Sequence, residues 1–307
     1  MEPGSGGSGS GTGTRTWEAD RAAVFERDGE TCRHCGRTAG TSSLRVAAVG
    51  DVPLQGTVHG SALVTVCDTC FETLRGTDRQ PIETRTALFE TIRSATTHQS
   101  EAISTVAEFA SLATTVPAAI EEGDDPDYVA QRQDAHLVLA VVDATLEQLE
   151  LLVGSDALEA LDPGTDGDGS GGSGTDTADD TGTGIGTADD LEAALAAFCE
   201  SATTLQSELR EVIDLAEVVA VGLGRCQGCF EPLEVDPDLG AKAQPAATRP
   251  CPTCGLETRD MGAWRRDDGT VRFDDLFGAI NAALQGSSAT TTTLTARTQA
   301  VAERLLE

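Results

Sequence analysis

The chain has 307 residues, of which 39% are hydrophobic and 4% aromatic, enough for two or three compact units without large aromatic cores. Its 51 acidic and 21 basic residues give a formal charge of -30, and Lys242 is the only lysine. This charge excludes a surface that is basic throughout. Dense carboxylates keep proteins soluble in molar salt, where the Debye length is about 3 Å. The composition predicts a protein from a halophilic cell; the alternative is an acidic protein from an ordinary cell.

The N-terminal segment Met1 to Thr14 is rich in Gly, Ser and Thr, so we expect a disordered tail over residues 1–14. It has no apolar stretch of the kind found in signal peptides, and no stretch of the chain reaches the roughly 18 apolar residues of a membrane span. These features predict a cytoplasmic, reducing location. Reduced thiols favour metal binding over disulfides for paired cysteines.

A short helix is predicted over Trp17 to Arg27, opening a cysteine-bearing unit over residues 15–80. A helical region over 81–161 follows. Its first part is predicted as one long helix or two, starting near Pro81 and ending at Pro117. The acidic turn Gly123 to Pro126 then leads into another helix. Residues 162–189 are Gly, Asp, Thr and Ser in low complexity, which predicts a flexible, disordered linker.

The segment 190–224 has the most regular apolar pattern in the chain. Apolar residues alternate steps of four and three over four heptads: Leu191, Leu195, Phe198, Ala202, Leu205, Leu209, Val212, Ala216, Val219 and Leu223. This heptad seam must pack against another helix. We expect the partner to be the helix around Val142 in the same chain; self-association as a coiled-coil dimer is the alternative.

A second cysteine-bearing unit is predicted over 225–273. Its last residues, Gly262 to Phe273, are predicted to form a β-hairpin turning at Asp268-Gly269. Two helices, near Asp274 to Leu284 and Thr293 to Leu306, are expected within 274–307. The predicted fold class is α+β, mainly α: a helical bundle or coiled coil carrying two small zinc units, the second a zinc ribbon.

Eight of the nine cysteines form four Cys-x-x-Cys pairs: Cys32/Cys35, Cys67/Cys70, Cys226/Cys229 and Cys251/Cys254. Paired thiolates at this spacing are typical of four-cysteine zinc sites. Joining distant pairs would close much longer loops and cost roughly 1.5 kcal/mol more, so neighbouring pairs should share an ion. Two structural Zn²⁺ ions are predicted, with iron or redox chemistry as rivals. Cys199 is expected to be a buried core residue and not a ligand.

Residues 17–74 resemble the zinc-knuckle branch of the HNH endonuclease family. The matching features are a helix ending in Glu26-Arg27-Asp28-Gly29, the knuckle Cys32-x-x-Cys35-Gly36, the strand Leu44-Arg45-Val46, and Leu63-Val64-Thr65-Val66-Cys67-x-x-Cys70. The resemblance implies a ββα-metal site in which a histidine pair, an asparagine and a final histidine activate water, orient the base and hold a divalent ion against the scissile phosphate. These positions fall on Ala47, Ala48, Ala62 and Phe71. None of these side chains can accept a proton or bind a metal.

Other groups near the predicted hairpin are weak substitutes. His59 and Asp51 lie in the loop between the strands, where His59 is expected to be a solvated loop residue, and His34 is expected to be exposed. No catalytic residue is therefore predicted.

Three functions remain open. The first is an inactive HNH-like scaffold that binds nucleic acid through arginines near the first site, namely Arg33, Arg37, Arg45, Arg75 and Arg79. The second is a protein-interaction or assembly module. The third is an active metal-dependent endonuclease with a nonstandard site.

Overall fold

The computed structural model describes residues 17–52, 58–76, 81–124, 126–155, 158, 161, 188–233 and 250–306. Within these ranges the elements are six helices and one two-stranded sheet: α1 Trp17–Arg27, β1 Leu44–Ala48, β2 Leu63–Cys67, α2 Asp68–Arg75, α3 Arg85–Glu122, α4 Tyr128–Glu150, α5 Ala188–Gly222 and α6 Phe273–Leu306. The mainly α composition predicted from the sequence is confirmed. The predicted tail 1–14, Arg79 and nearly all of the predicted linker lie outside the described residues.

Helices α3 to α6 pack around one apolar core, and α5 contacts the other three. The predicted seam lies on the buried side of α5, where Leu195, Phe198 and Leu205 are 0% exposed. Its packing within one chain is confirmed. The expected partner, the Val142 helix α4, does contact α5, but α5 lies chiefly along α6.

Helix α3 begins and ends elsewhere than predicted. The Thr84 hydroxyl caps its first turn by accepting a hydrogen bond from the amide of Ala87 (3.1 Å), so Pro81 does not start it. Pro117 lies inside the helix, which runs on to Glu122. Because proline has no backbone N–H, one hydrogen bond of the helix is missing at this position. The neighbouring Val116 is buried in the core, and this packing holds the helix together across the missing bond.

The predicted pair of C-terminal helices is one continuous helix, α6. The sequence suggests a break because small polar residues crowd its middle. Their hydroxyls donate instead to carbonyls one turn back, as in Ser287 to Leu284 (2.9 Å) and Thr291 to Ser287 (2.7 Å). Ser287 is also buried against the bundle, so the helix continues through it.

Strands β1 and β2 form an antiparallel hairpin in which Leu44 faces Cys67 and Ala48 faces Leu63. All five residues of β2 are buried. The side-chain amide of Gln133 on α4 donates to the carbonyls of Ser61 (2.9 Å) and Leu63 (3.0 Å), which ties this hairpin to the bundle. The second hairpin, predicted near Asp268-Gly269, is reduced to a tight turn with one bridge between Arg265 and Val271.

One helix in the described part of the chain, α3, is long and apolar enough to cross a membrane by length and composition. Its buried residues Leu88, Val106 and Phe109 lie in the bundle core, while Arg93 and Glu101 are exposed. One face of α3 therefore packs in the bundle core, and 28% of its most apolar 18-residue window is buried. The cytoplasmic location stays a prediction.

Two glycines in the bundle should respond oppositely to substitution by alanine. Gly123 has φ +85° as the C-cap of α3, whereas Gly286 lies inside α6, and a Cβ at either site meets nothing within 4 Å. Gly123→Ala should lower the free energy of unfolding by about 1 kcal/mol because of its left-handed backbone. Gly286→Ala should raise it by about 0.5–1 kcal/mol. Urea unfolding at constant salt measures both, and equal effects would contradict the difference in backbone conformation.

Candidate metal centres

The first four-cysteine cluster joins a tight turn to the end of the hairpin. Cys32 and Cys35 lie in a turn in which the Gly36 amide donates to the Cys32 carbonyl (2.9 Å), and Gly36 takes φ +68°. Cys67 ends β2 and Cys70 lies in the first turn of α2. The four sulfur atoms lie within 4.8 Å of one another, so the predicted pairing of neighbours is what the structure brings together.

The second cluster is built from two similar turns. Cys226 and Cys229 follow α5, and Cys251 and Cys254 precede the turn that leads to α6. In each turn the first cysteine's amide donates to a carbonyl five residues ahead, Glu231 (2.9 Å) and Leu256 (2.8 Å). Their sulfur atoms also lie within 4.8 Å of one another, and all four cysteines are buried. By contrast, Cys35 of the first cluster is exposed.

Both clusters fit a tetrahedral metal ion such as zinc. Zinc–sulfur bonds of about 2.3 Å place the sulfurs of a tetrahedral site about 3.8 Å apart. The observed separations are 3.8 Å for Cys35–Cys67, 3.6 Å for Cys229–Cys251 and 3.5 Å for Cys226–Cys254. Four protein ligands would close the coordination shell and leave no position for a reacting water, which is the arrangement of a structural ion.

The crowding of the thiols changes their acidity. A hydrogen bond from Cys70 lowers the pKa of Cys32 to about 4, and the same contact raises the pKa of Cys70. In the second cluster, hydrogen bonds from Cys226 and Cys229 lower the pKa of Cys254 to about 4. Each cluster thus stabilises a thiolate, the form that binds a metal.

Phe230 follows Cys229 at the position that glycine holds in two of the other turns. Its φ is +61°, against +68° for Gly36 and +74° for Gly255. The ring stacks on Tyr128 of α4 at 4.4 Å between centroids, and Arg225 lies over it at 4.9 Å. These contacts hold the residue in a backbone conformation that is unusual for a large side chain. They also fix the second cysteine unit against the bundle.

Several predicted residues have roles that the sequence did not indicate. His59 is half-buried, and its Nδ1 accepts a hydrogen bond from the amide of Ser61 (3.1 Å), capping a short 3₁₀ turn. It is therefore not a solvated loop residue. His34 is half-buried, not exposed, and its Nδ1 lies 3.3 Å from the Cys70 sulfur. Cys199 is buried in the helical core as expected, and burial raises its pKa to about 12.

The arginines near the first cluster are largely engaged within the protein. Arg33 contacts Asp134 on α4 at 2.5 Å, Arg45 contacts Asp68 at 2.9 Å, and Arg75 lies over the ring of Phe71 at 5.5 Å. Arg37 is exposed. Most of these guanidinium groups therefore orient local structure.

A buried carboxylate on α5, Glu217, was missed by the sequence reasoning. One of its oxygens lies 2.6 Å from Nε of Arg132 and 2.9 Å from Nε2 of His136, both on α4. The other oxygen pairs with Arg259 of the second cysteine unit. Arg259 also reaches Asp214 on α5 (2.6 Å) and Asp51 of the first cysteine unit (3.5 Å).

This network, which we call the Glu217 cluster, has its central groups in the interior, since Glu217 is 0% and Arg132 1% exposed. Burial alone would raise the pKa of Glu217, but Arg132, His136 and Arg259 outweigh it and hold the pKa below its ordinary value. Gly50 closes one side at φ +68°, where a Cβ would lie 3.0 Å from the His136 ring. The carboxylate is therefore ionised and connects both cysteine units to α5.

No family model, curated protein or solved structure matches the chain.

Replacing Glu217 by glutamine should strongly destabilise the fold, because Arg132 would then keep its charge in the interior without an opposing carboxylate. Breaking such a buried pair costs about 3–5 kcal/mol. Asp143→Asn is the matched control, since the Asp143–Arg210 pair is nearly half exposed and should contribute less than about 1 kcal/mol. Urea unfolding measures both, and equal losses would contradict a special role for Glu217.

The same carboxylate should make stability fall in acid. Unfolded glutamate has a pKa of about 4.3, whereas that of folded Glu217 is lower, so in acid the unfolded chain binds a proton that the folded chain does not. Its contribution is present above about pH 4.3 and is lost as the pH falls towards the folded value. The difference in unfolding free energy between wild type and Glu217→Gln should therefore narrow below about pH 4.3. A constant difference from pH 7 to pH 3 would contradict the assignment.

Proposed function

We propose that this protein is a two-zinc binding module built on an HNH-like frame, that its zinc ions are structural, and that it acts by docking a protein partner. The observation that carries the proposal is the pair of four-cysteine clusters, each of which fits a closed tetrahedral shell. The ions would hold two folded units against the helical bundle. No step of the proposed function is chemical.

The order of elements around the first cluster supports the HNH-like frame. The knuckle at Cys32 and Cys35 is followed by β1, β2 and α2, with Cys67 and Cys70 at the junction of the last two. This is the ββα order that the resemblance implies.

The positions of the family's catalytic groups support a module that does not hydrolyse nucleic acid. Ala47 and Ala48 lie on β1 opposite Val64 and Leu63, and Ala62 is buried just before β2. Phe71 lies on α2 and packs against the apolar core of the first cysteine unit. None carries a lone pair for a metal or a proton. The nearby Asp51 pairs with Arg259, and His59 caps its turn, so both have structural contacts.

Charge favours a protein partner over nucleic acid. The arginines around the first cluster that pair within the chain are partly neutralised, whereas the formal charge of the chain is -30. A cleft of about 390 Å³ lies between α2, α4 and α5, and Glu147 and Glu150 line it beside the Asp143–Arg210 ion pair. Carboxylates repel phosphate and attract basic groups. A partner with exposed Lys or Arg fits this surface.

Metal analysis of the folded protein tests the first part of the proposal. Two zinc ions per chain are expected after purification in buffer without added metal, and removal with a strong chelator should unfold both cysteine units because binding and folding are linked. Inductively coupled plasma mass spectrometry and circular dichroism measure these outcomes. Fewer than two ions per chain, or iron in place of zinc, would overturn the assignment.

A nucleic-acid titration tests the second part. Fluorescence anisotropy with duplex DNA should show no saturable binding at any of several KCl concentrations, because phosphate contacts would give a steep dependence on salt. Plasmid incubated with Mg²⁺ or Mn²⁺ in molar salt should stay intact. Plasmid nicking that is abolished by His59→Ala would instead establish an endonuclease. A DNA-binding constant that falls steeply with KCl concentration would establish nucleic-acid binding.

A pull-down from high-salt lysate tests the protein partner, which should stay bound after nuclease treatment.

A further inference from the structure

The cleft between α2, α4 and α5 has a buried carboxamide among its lining residues. Gln206 of α5 lines this cleft and is 1% exposed. Neither its Oε1 nor its Nε2 has a hydrogen-bond partner among the described residues. Buried polar atoms without partners destabilise a fold, and native interiors contain few of them. The carboxamide thus offers one acceptor and one donor that the described part of the chain leaves unused.

Two contacts between α4 and α5 flank Gln206. Thr203, three residues before it, donates a hydrogen bond to Glu150 of α4 at 3.1 Å. Arg210, four residues after it, pairs with Asp143 of α4. Residues three or four apart lie on the same face of a helix, so Gln206 lies between these two contacts. Side chains that bridge the two helices therefore stand on both sides of the buried carboxamide.

Both flanking contacts lie at the surface. The Arg210 and Asp143 side chains are 48% and 44% exposed, and the hydrogen bond from Thr203 to Glu150 is exposed as well. Surface contacts of this kind add little to stability, because water competes for the same groups. A ligand that enters between α4 and α5 therefore displaces weak contacts, and it can supply hydrogen bonds to a carboxamide that lacks them.

The lining of the cleft favours a cation with an apolar stem. Three carboxylates, those of Asp143, Glu147 and Glu150, line it against one guanidinium, that of Arg210, so its charge is negative. Apolar residues complete the lining, namely Leu74, Ala140, Ala144 and Leu146. An arginine side chain combines an apolar stem with a planar charged group that carries five N–H donors. It therefore matches both the apolar wall and the carboxylates.

The carboxamide of Gln206 needs one group that an arginine side chain lacks. Arginine has donors and no acceptor, whereas Gln206 Nε2 is itself a donor. The peptide groups that flank an arginine in a polypeptide supply the missing carbonyl. Nucleic acid also has acceptors, but the carboxylates of the cleft repel its phosphates. The lining therefore fits a peptide segment better than a nucleic acid.

We propose that this cleft binds an arginine-bearing segment of the protein partner. Gln206 Nε2 donates to a peptide carbonyl of the segment, and Gln206 Oε1 and the Glu150 carboxylate accept from the N–H groups of its arginine. The Asp143–Arg210 pair and the Thr203–Glu150 contact open as the segment enters. This inference deepens the proposed function and rests on it, since it requires a protein partner.

A titration of the full chain, purified without chelator, tests the site. The probe is N-acetyl-arginine N-methylamide, which places one arginine between two peptide groups. With the glutamine side chains labelled with ¹⁵N, the Gln206 amide signal is identified by its absence in Gln206→Met, and it should shift saturably as probe is added. The citrulline analogue has a similar shape and no charge, and it should bind about tenfold more weakly because the carboxylates then face no cation.

Variants separate the carboxamide from the charge. Gln206→Met should weaken binding of the arginine probe about tenfold, and it should raise the urea midpoint because it removes buried polar atoms without partners. Glu150→Gln should weaken binding of the arginine probe and leave that of the citrulline analogue unchanged. Two controls lie outside the cleft lining and should leave binding unchanged: Glu101→Gln on the exposed side of α3, and Gln99→Met. Gln99 is equally buried, but its Nε2 donates to the Ala202 carbonyl (3.3 Å), so Gln99→Met should lower the urea midpoint.

Three binding results would overturn the inference: no saturable shift of the Gln206 signal, equal affinity for the two probes, or unchanged binding by Gln206→Met. A lower urea midpoint for Gln206→Met would overturn it too, because the carboxamide would then be bonded within the folded protein. Failure of the proposed function gives a different result, since wild type would retain no protein from the lysate. If this inference alone is wrong, Gln206→Met retains the partner as well as wild type does.

Discussion

The ionised carboxylate of Glu217 is the interaction on which the arrangement of the whole molecule depends. It is 0% exposed, and its neighbours come from α4 and from the second cysteine unit. A buried charge is costly unless opposite charges and hydrogen bonds surround it. Arg132, His136 and Arg259 therefore have to meet at one point, and this fixes the second cysteine unit against α4 and α5. The reach of Arg259 to Asp51 brings the first unit into the same network.

The two clusters differ in how they join the bundle. The second is wedged against α4 by the stack of Phe230 on Tyr128, and the Tyr128 hydroxyl donates to the Gln227 carbonyl (3.3 Å). The first meets α4 through the Arg33–Asp134 pair and the carbonyl contacts of Gln133. Its ligand Cys35 stays at the surface. The second cluster thus has a buried, aromatic support, and the first has a polar, partly open one.

The sequence was sufficient for features that depend on local spacing. The four cysteine pairs, helix α1 and the heptad seam each follow from residues close together in the chain, where turn geometry and helical periodicity decide the structure. The Glu217 cluster could not be found in this way, since Arg132 and Glu217 are 85 residues apart and nothing in their neighbourhoods signals a pair. Pro117 was misleading for a related reason. Its local cost is real, but core packing at Val116, which is set by distant helices, exceeds it.

The place of the second cysteine unit between α5 and α6 has a consequence for synthesis. During translation the apolar seam of α5 emerges from the ribosome before α6, its main covering helix, has been made. Helices α3 and α4 are already available to cover part of it. The second four-cysteine unit, which could hold a metal ion, comes next, and closing it around metal would turn the growing chain back toward α5 as α6 appears. Scarcity of metal at that moment would leave an uncovered apolar helix on a nascent chain, which is the form that chaperones and proteases recognise.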